Sequence, residues 1–299
     1  MHIVVSDFDE TITKKDTISA LAELPYLYKS FPIPWSHFID TYLQGFQKFE
    51  TPARDLPILH AWIKDQNQLI TDANFEQMFS SEIAYQKALR PIELNSVNEL
   101  ESKSAFSGIT QGQVKEFAQS KTSLLRDDFL AAWKSASELH ILSVNWSRDF
   151  IEAVLYAAAS KWSLMSVVPT IQTTCNNLAA QNGNLTGQFE KSIVTGYDKV
   201  EKLETIVKTS ESDSTIWYIG DSETDLLSIL YPSVNGVLLL DPKESLKKFQ
   251  KISSLLGLDS TDFKEYLTNP KCDTLKISCK KTGAFYFVKT WKALTKMLR

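Results

Sequence analysis

The chain has 299 residues, enough for two domains or for one large domain carrying an insertion. Its 36 acids against 32 bases leave a net charge of −4, so no overall positive field holds a phosphate backbone and nucleic acid is not an expected partner. With 43% hydrophobic residues and only 10 Gly and 10 Pro, it reads as a globular chain, not a collagen-like, low-complexity or disordered one. The three cysteines, Cys175, Cys272 and Cys279, have no CxxC spacing, which argues against a disulfide framework or zinc site and fits a reducing, cytoplasmic setting. No apolar run approaches the roughly 18 residues of a membrane span, and the opening MHIVVSDFDE lacks a basic leader, so neither membrane insertion nor secretion is expected. His2, His37, His60 and His140 lie far apart, form no HExxH pair and are read as structural.

The first element is a short apolar strand, Ile3 to Val5, running directly into acids and then Thr11 and Thr13. From residue 17 to about 121 the periodicity turns helical. Trp35, Phe38, Ile39, Tyr42, Phe46 and Phe49 recur at helical spacing, as does the stretch from Phe75 to Leu89. Pro25, Pro32, Pro34, Pro57 and Pro91 are read as breaks in this block, and Thr110 with Gln113 as a capping box opening another helix.

After Leu124, strands and helices alternate. Leu139 to Val144, Ile171 to Thr174, Thr215 to Ile219 and Gly236 to Leu240 read as strands, with helices from Asp149 to Lys161 and Lys199 to Lys208. A strand at Phe285 to Val288 and a helix at Trp291 to Leu298 close the chain. The expected architecture is α/β, a Rossmann-like doubly wound parallel sheet formed by residues 1–16 and 122–299, with an all-helical domain, residues 17–121, inserted after the first strand. An insertion so placed covers whatever the first strand end does.

In an open parallel sheet, ligands bind beyond the carboxyl ends of the strands. Here those ends deliver mostly acids: Asp7 and Asp9 with Thr11 after the first strand, Ser143 after the second, and Asp221 and Asp225 within Gly220-Asp221-Ser222-Glu223-Thr224-Asp225. Carboxylates facing one point raise one another's pKa unless a cation offsets them, and oxygen ligands of this kind suit Mg2+. Asp225 also reads as an acid of a first helical turn, and Ser143 as a helix cap.

These residues resemble the motifs of the haloacid dehalogenase superfamily of phosphatases: DFDETIT as the first, Ser143 at the end of Ile141-Leu142-Ser143 as the second, Lys199 as the third and GDSETD as the fourth. The resemblance covers Met1 to about Leu240, and the helical insertion resembles the C1 cap of the phosphoserine-phosphatase-like branch. It implies that Asp7 is the nucleophile, forming an aspartyl-phosphate, and that Asp9 protonates the leaving oxygen and then activates water. Asp9 argues against a dehalogenase, whose leaving halide needs no proton. Mg2+ would be held by the Asp7 carboxylate, the Asp9 carbonyl and Asp221, with Asp225 in support. Ser143 would donate to a phosphoryl oxygen, and Lys199, rather than Lys202 one turn on, would steady the phosphoryl group. Ser143-Val144-Asn145-Trp146 departs from relatives with Gly soon after the Ser, so the backbone there is expected to approach phosphate differently.

The implied activity is Mg2+-dependent hydrolysis of a small phosphorylated metabolite. A phosphotransferase or mutase, or a degenerate phosphate-binding regulatory protein, is the alternative, and whether water alone accepts the phosphoryl group separates them. A receiver-type signalling domain shares the acids, Ser or Thr and Lys, but is much shorter and has no cap. With Asn184-Leu185-Thr186-Gly187, the insertion looks like that of phosphatases acting on vitamin-type metabolites, thiamine monophosphate and pyridoxal phosphate among them. Asp16, Trp35, Tyr42 and Asn145, with Ser143, are the expected substrate contacts, although helical spacing makes Trp35, Tyr42 and Phe46 equally readable as core and Asp16 as a helix cap.

Overall fold

The structure, a computed structural model, describes residues 1–54, 56, 69–258, 261 and 263–299. Pro57 and His60 lie outside the described residues. The main sheet has seven strands: β1 (His2–Ser6), β2 (Glu138–Ser143), β3 (Ile171–Cys175), β6 (Thr215–Gly220), β7 (Asn235–Leu239), β8 (Thr274–Ile277) and β9 (Phe285–Val288). Their order is β3-β2-β1-β6-β7-β9-β8, all parallel except β8, which runs antiparallel to β9 at the edge. The remaining two strands, β4 (Asn177–Gln181) and β5 (Asn184–Glu190), form a separate antiparallel hairpin.

Strict alternation along the central strands explains why both faces of the sheet are covered. Val4, Trp217, Ile219, Val237 and Leu239 join one apolar cluster, whereas Ile3, Val5, Ile216, Tyr218, Leu238 and Leu240 join another on the opposite face. The first cluster continues without a break into the insertion through Phe38, Val97, Leu100 and Phe106. The chain winds outward from β1 through β2 to β3, then returns to the far side of β1 to lay down β6 and β7. The loops leaving β1 and β6 therefore diverge, and the crevice between them is the point where such sheets bind ligands.

Most expected elements are present with ends shifted by one to three residues. Helices run over Arg148–Lys161, Gly196–Thr209 and Trp291–Met297. The Thr110 and Gln113 capping box opens helix Gln111–Gln119, whose Phe117 ring lies 6.3 Å from Phe150 of helix Arg148–Lys161.

Pro91 corrects one expectation: it does not break the chain but lies inside the continuous helix Ser80–Ser102. The helix loses one N–H donor there yet persists. Leu89 and Ile92 are buried on either side, Arg90 pairs with Asp198, and Glu93 accepts from Tyr42. The hairpin and β8 were not expected. Asn182 and Gly183, with φ of 51° and 79°, make the tight turn between β4 and β5 that an Asn-Gly pair favours.

Candidate active site

Two close approaches, each possible only at glycine, assemble the site. A Cβ on Gly220 at the end of β6 would lie 2.3 Å from the Asp225 side chain, and one on Gly196 would lie 2.3 Å from the Thr224 carbonyl oxygen. The first lets the loop after β6 fold Asp225 beneath itself. The second brings the start of helix Gly196–Thr209 against that loop, which carries Lys199 inward. Lys199 is fully buried, its Nζ 2.8 Å from Asp225 Oδ1 and 3.0 Å from Asp7 Oδ1. Lys202, one turn on, is exposed.

Asp225 is saturated. One oxygen accepts from Lys199 and the Tyr218 hydroxyl, the other from the Asp221 and Ser222 backbone N–H groups and the Ser222 hydroxyl. Burial would raise its carboxyl, but Lys199 and these donors hold it low. Asp7 is in the opposite position. Burial raises it well above the ordinary carboxylate range, Lys199 draws it down, and Asp225, Asp221 and Asp9 push it up again. Its Oδ1 is buried and accepts no hydrogen bond of good geometry, even with Lys199 beside it. For Lys199 itself, burial is outweighed by Asp225 and Asp7, which raise the ammonium.

Asp221 stands on the other side of the crevice. Its Oδ1 accepts from Thr11 at 2.8 Å, which ties the loop after β1 to the loop after β6, and its Oδ2 meets the Lys248 ammonium. Lys248 also reaches Glu10, 2.6 Å away, which sits in a left-handed turn with φ of 57°. Burial raises Asp221, and Lys248 only partly counters it.

Ligand oxygens of Asp7, Asp221 and Asp225 lie within 4.8 Å of one another. Three clustered carboxylates, two of them raised by burial and by neighbouring acids, form an all-oxygen site that Lys199 and Lys248 only partly neutralise, and that fits a hard divalent cation such as Mg2+. The saturated oxygens of Asp225 suit it to a supporting role behind Asp7 and Asp221.

Asp9 points away from this cluster. Its Oδ1 accepts from the Thr17 N–H and hydroxyl, both at 2.6 Å, and its Oδ2 from Asn145 Nδ2 at 2.8 Å. Burial, opposed by the hydrogen bond from Asn145, lifts its carboxyl to about 6. Ser143 is fully buried at the end of β2, its Oγ accepting from the Asn145 N–H at 3.2 Å.

A cavity of about 430 Å3 adjoins the site, and its lining includes Asp16, Ile18, Trp35, Tyr42, Glu93, Val144 and Trp146. Ile18 follows Thr17, and Val144 and Trp146 flank Asn145, so the cavity borders the Asp9 end of the crevice. Trp35 and Tyr42 are thus cavity walls, as is Phe38, which is otherwise buried in the core. Phe46 lies edge-on to Tyr42 with centroids 5.0 Å apart. Asp16 lines the cavity and also accepts from the Ile18 N–H at 3.0 Å, but the cap position of the short helix Ile18–Leu21 is Thr17, which corrects the reading of Asp16 as the helix cap. The other histidines stand apart from the site: His2 accepts from Trp217, His37 faces Glu99, and His140 faces Glu138. Cys175, Cys272 and Cys279 are free thiols, and among the described residues no helix is long and apolar enough to cross a membrane.

Thr17, Glu93 and Lys248 were missed as residues of the site. Helix Leu246–Leu255 also brings Lys251 to Glu223, which in turn accepts from Arg54 at 2.6 Å. Arg54 holds Glu82 through two nitrogens, at 2.8 and 3.0 Å, and the Glu82 side chain is completely buried. Removing one partner of such a pair leaves an uncompensated buried charge, so Arg54→Met should lower the unfolding free energy by about 3 kcal/mol. Denaturant titration checks this. A loss below about 0.5 kcal/mol would place the pair among those worth nothing measurable.

No protein-family model matches the chain. It is 37% identical to Cold tolerance protein 1 of Saccharomyces cerevisiae over 322 aligned positions, covering 99% of this chain and 97% of that protein. It is 28% identical to a CTO1 family protein of Schizosaccharomyces pombe over 235 positions, covering 75% of this chain and 76% of that one. Among solved structures, cytosolic 5'-nucleotidase IIIB bound to cytidine aligns over 84% of this chain and 77% of that one, with 18% identity and a TM-score of 0.46.

Proposed function

The chain belongs to the CTO1 family and carries the four motifs of the haloacid dehalogenase superfamily, and we propose that it hydrolyses small phosphomonoesters through an aspartyl-phosphate on Asp7. The observation that carries this reading is the placement of Asp7: a buried carboxylate at the switch point of the sheet, clustered with Asp221 and Asp225 and 3.0 Å from the Lys199 ammonium. We take residues 1–16 and 122–299 as the catalytic core and residues 17–121 as the cap that receives the leaving group.

In the first step an Asp7 oxygen attacks phosphorus in line, and the bond from phosphorus to the leaving oxygen breaks. Asp9, its carboxyl near 6, gives its proton to that oxygen so that an alcohol departs. In the second step the Asp9 carboxylate takes a proton from water as the water oxygen attacks phosphorus, which frees Asp7 and releases inorganic phosphate. Thr17 and Asn145 fix the direction in which Asp9 points. Lys199 balances charge at Asp7, and Ser143 donates to a phosphoryl oxygen. When bound, Mg2+ would be held by Asp7, the Asp9 carbonyl and Asp221 with Asp225 in support, and would supply positive charge to the transferring phosphoryl group.

The purified chain with Mg2+ should release phosphate from 4-nitrophenyl phosphate. Complete chelation should lower the rate at least 100-fold, of the order expected for losing several kcal/mol of charge stabilisation, and added Mg2+ should restore it. An unchanged rate after chelation would remove the metal from the mechanism. No release from any phosphomonoester would remove the hydrolase reading.

A further inference from the structure

The cavity beside Asp9 has a composition that selects by charge. Trp35 and Trp146, with ring centroids 6.1 Å apart, and Phe38, 5.3 Å from Trp35, give it flat apolar walls. The ionisable carboxyls in its lining are Asp16 and Glu93, and among the described residues that line it there is no Lys, Arg or His. Glu93 is held in place from the opposite helix, its Oε1 accepting from the Tyr42 hydroxyl at 2.9 Å, so its second oxygen needs no reorganisation to meet a donor. At about 430 Å3 the space lies within the range of small-molecule sites.

A second phosphate or a carboxylate on the leaving group would meet two acids there with no cation to offset it. A flat ring would lie against an indole wall, and a cationic nitrogen on it would gain from both the aromatic face and a charged acceptor. We propose that Glu93 is a specificity-determining residue and that the cavity receives a flat, aromatic leaving group bearing a cationic nitrogen, excluding anionic ones. This rests on the phosphatase reading for its place in the reaction, but the binding step can be measured without turnover.

The test uses two free alcohols of one shape, 4-(aminomethyl)benzyl alcohol and 4-(hydroxymethyl)benzoate, titrated calorimetrically into the full chain with Mg2+ and inorganic phosphate present. The cationic alcohol should bind roughly tenfold or more tightly than the carboxylate, from one charge-assisted hydrogen bond and one cation–aromatic contact. Glu93→Gln keeps the carbonyl oxygen that accepts from Tyr42 and should bring the two affinities to within about threefold of each other, as one charge-assisted bond is lost. Asp16→Asn, which keeps the acceptor for the Ile18 N–H, should narrow the ratio as well and serves if the first variant misfolds. Equal affinities in the unsubstituted chain, or a ratio that survives both substitutions, would overturn the proposal. Selective binding with no phosphate release from any phosphomonoester would support the cavity assignment and remove the phosphatase reading.

Discussion

Asp7→Asn is expected to lower kcat/KM for 4-nitrophenyl phosphate by roughly four orders of magnitude or more, the scale seen when a covalent nucleophile is removed. The amide oxygen does not supply the electron pair that forms the bond to phosphorus, and no other described acid stands ready to replace it. Asp225 is consumed by five donors, and Asp9 is turned toward Thr17 and Asn145. The same substitution should not cost stability. Burial and three neighbouring acids raise the Asp7 carboxyl above its ordinary value, so its contribution to folding is fully present below about pH 4 and is lost as pH rises through the raised folded-state value. At pH 8 the metal-free chain carries a strained charge there, which Asn removes, while Lys199 keeps Asp225. Metal-free Asp7→Asn should therefore melt at or above the unsubstituted chain at pH 8, with a smaller margin at pH 4. A lower melting temperature at pH 8 would show that Asp7 is held for structure, and near-normal turnover would end the covalent mechanism.

That opposition between function and stability explains which parts of the site were legible in the sequence. Asp7, Asp9, Asp221 and Asp225 break a local rule: acids directly follow apolar strands whose ends are buried. Lys199 was legible because motif order and the helix start narrowed the choice to two positions. Its complete burial was not visible, since it depends on the absence of a Cβ at Gly196 and Gly220, which matters only once the two loops touch.

Residues that reach the site across the chain leave no such mark. Lys248 sits on an amphipathic helix beside Lys247 and Lys251, where a solvated face is the ordinary reading. Glu93 stands two residues from a proline that suggested a break, so the continuity of helix Ser80–Ser102 and its inward face were hidden together. The β4–β5 hairpin was legible in principle, because Asn182-Gly183 lies between alternating segments.

Lys199 and Lys202 give the sharpest separation of a site residue from its neighbour. Lys199→Met leaves Asp7 and Asp225 buried around a side chain of similar length with no charge, and should cost about 3–5 kcal/mol of stability. Turnover in the folded fraction should fall at least 100-fold, since the remaining acids then repel the phosphoryl oxygens they face. Lys202→Met, at an exposed position, should change stability by less than about 0.5 kcal/mol and leave kcat within about twofold. A structural role alone would also make Lys199→Met damaging, so the decisive measurement is the double variant Lys199→Met with Asp225→Asn. Neutralising Asp225 removes the charge that Lys199 chiefly offsets, and the Asn oxygen still accepts from Tyr218 or Ser222. Part of the lost stability should therefore return, a coupling of about 1–3 kcal/mol in a double-mutant cycle. Turnover should not return with it, because the cation beside Asp7 is still missing. Recovery of both together would make Lys199 a prop for the loop after β6 and nothing more. Equal damage from Lys202→Met would move the third motif by one helical turn.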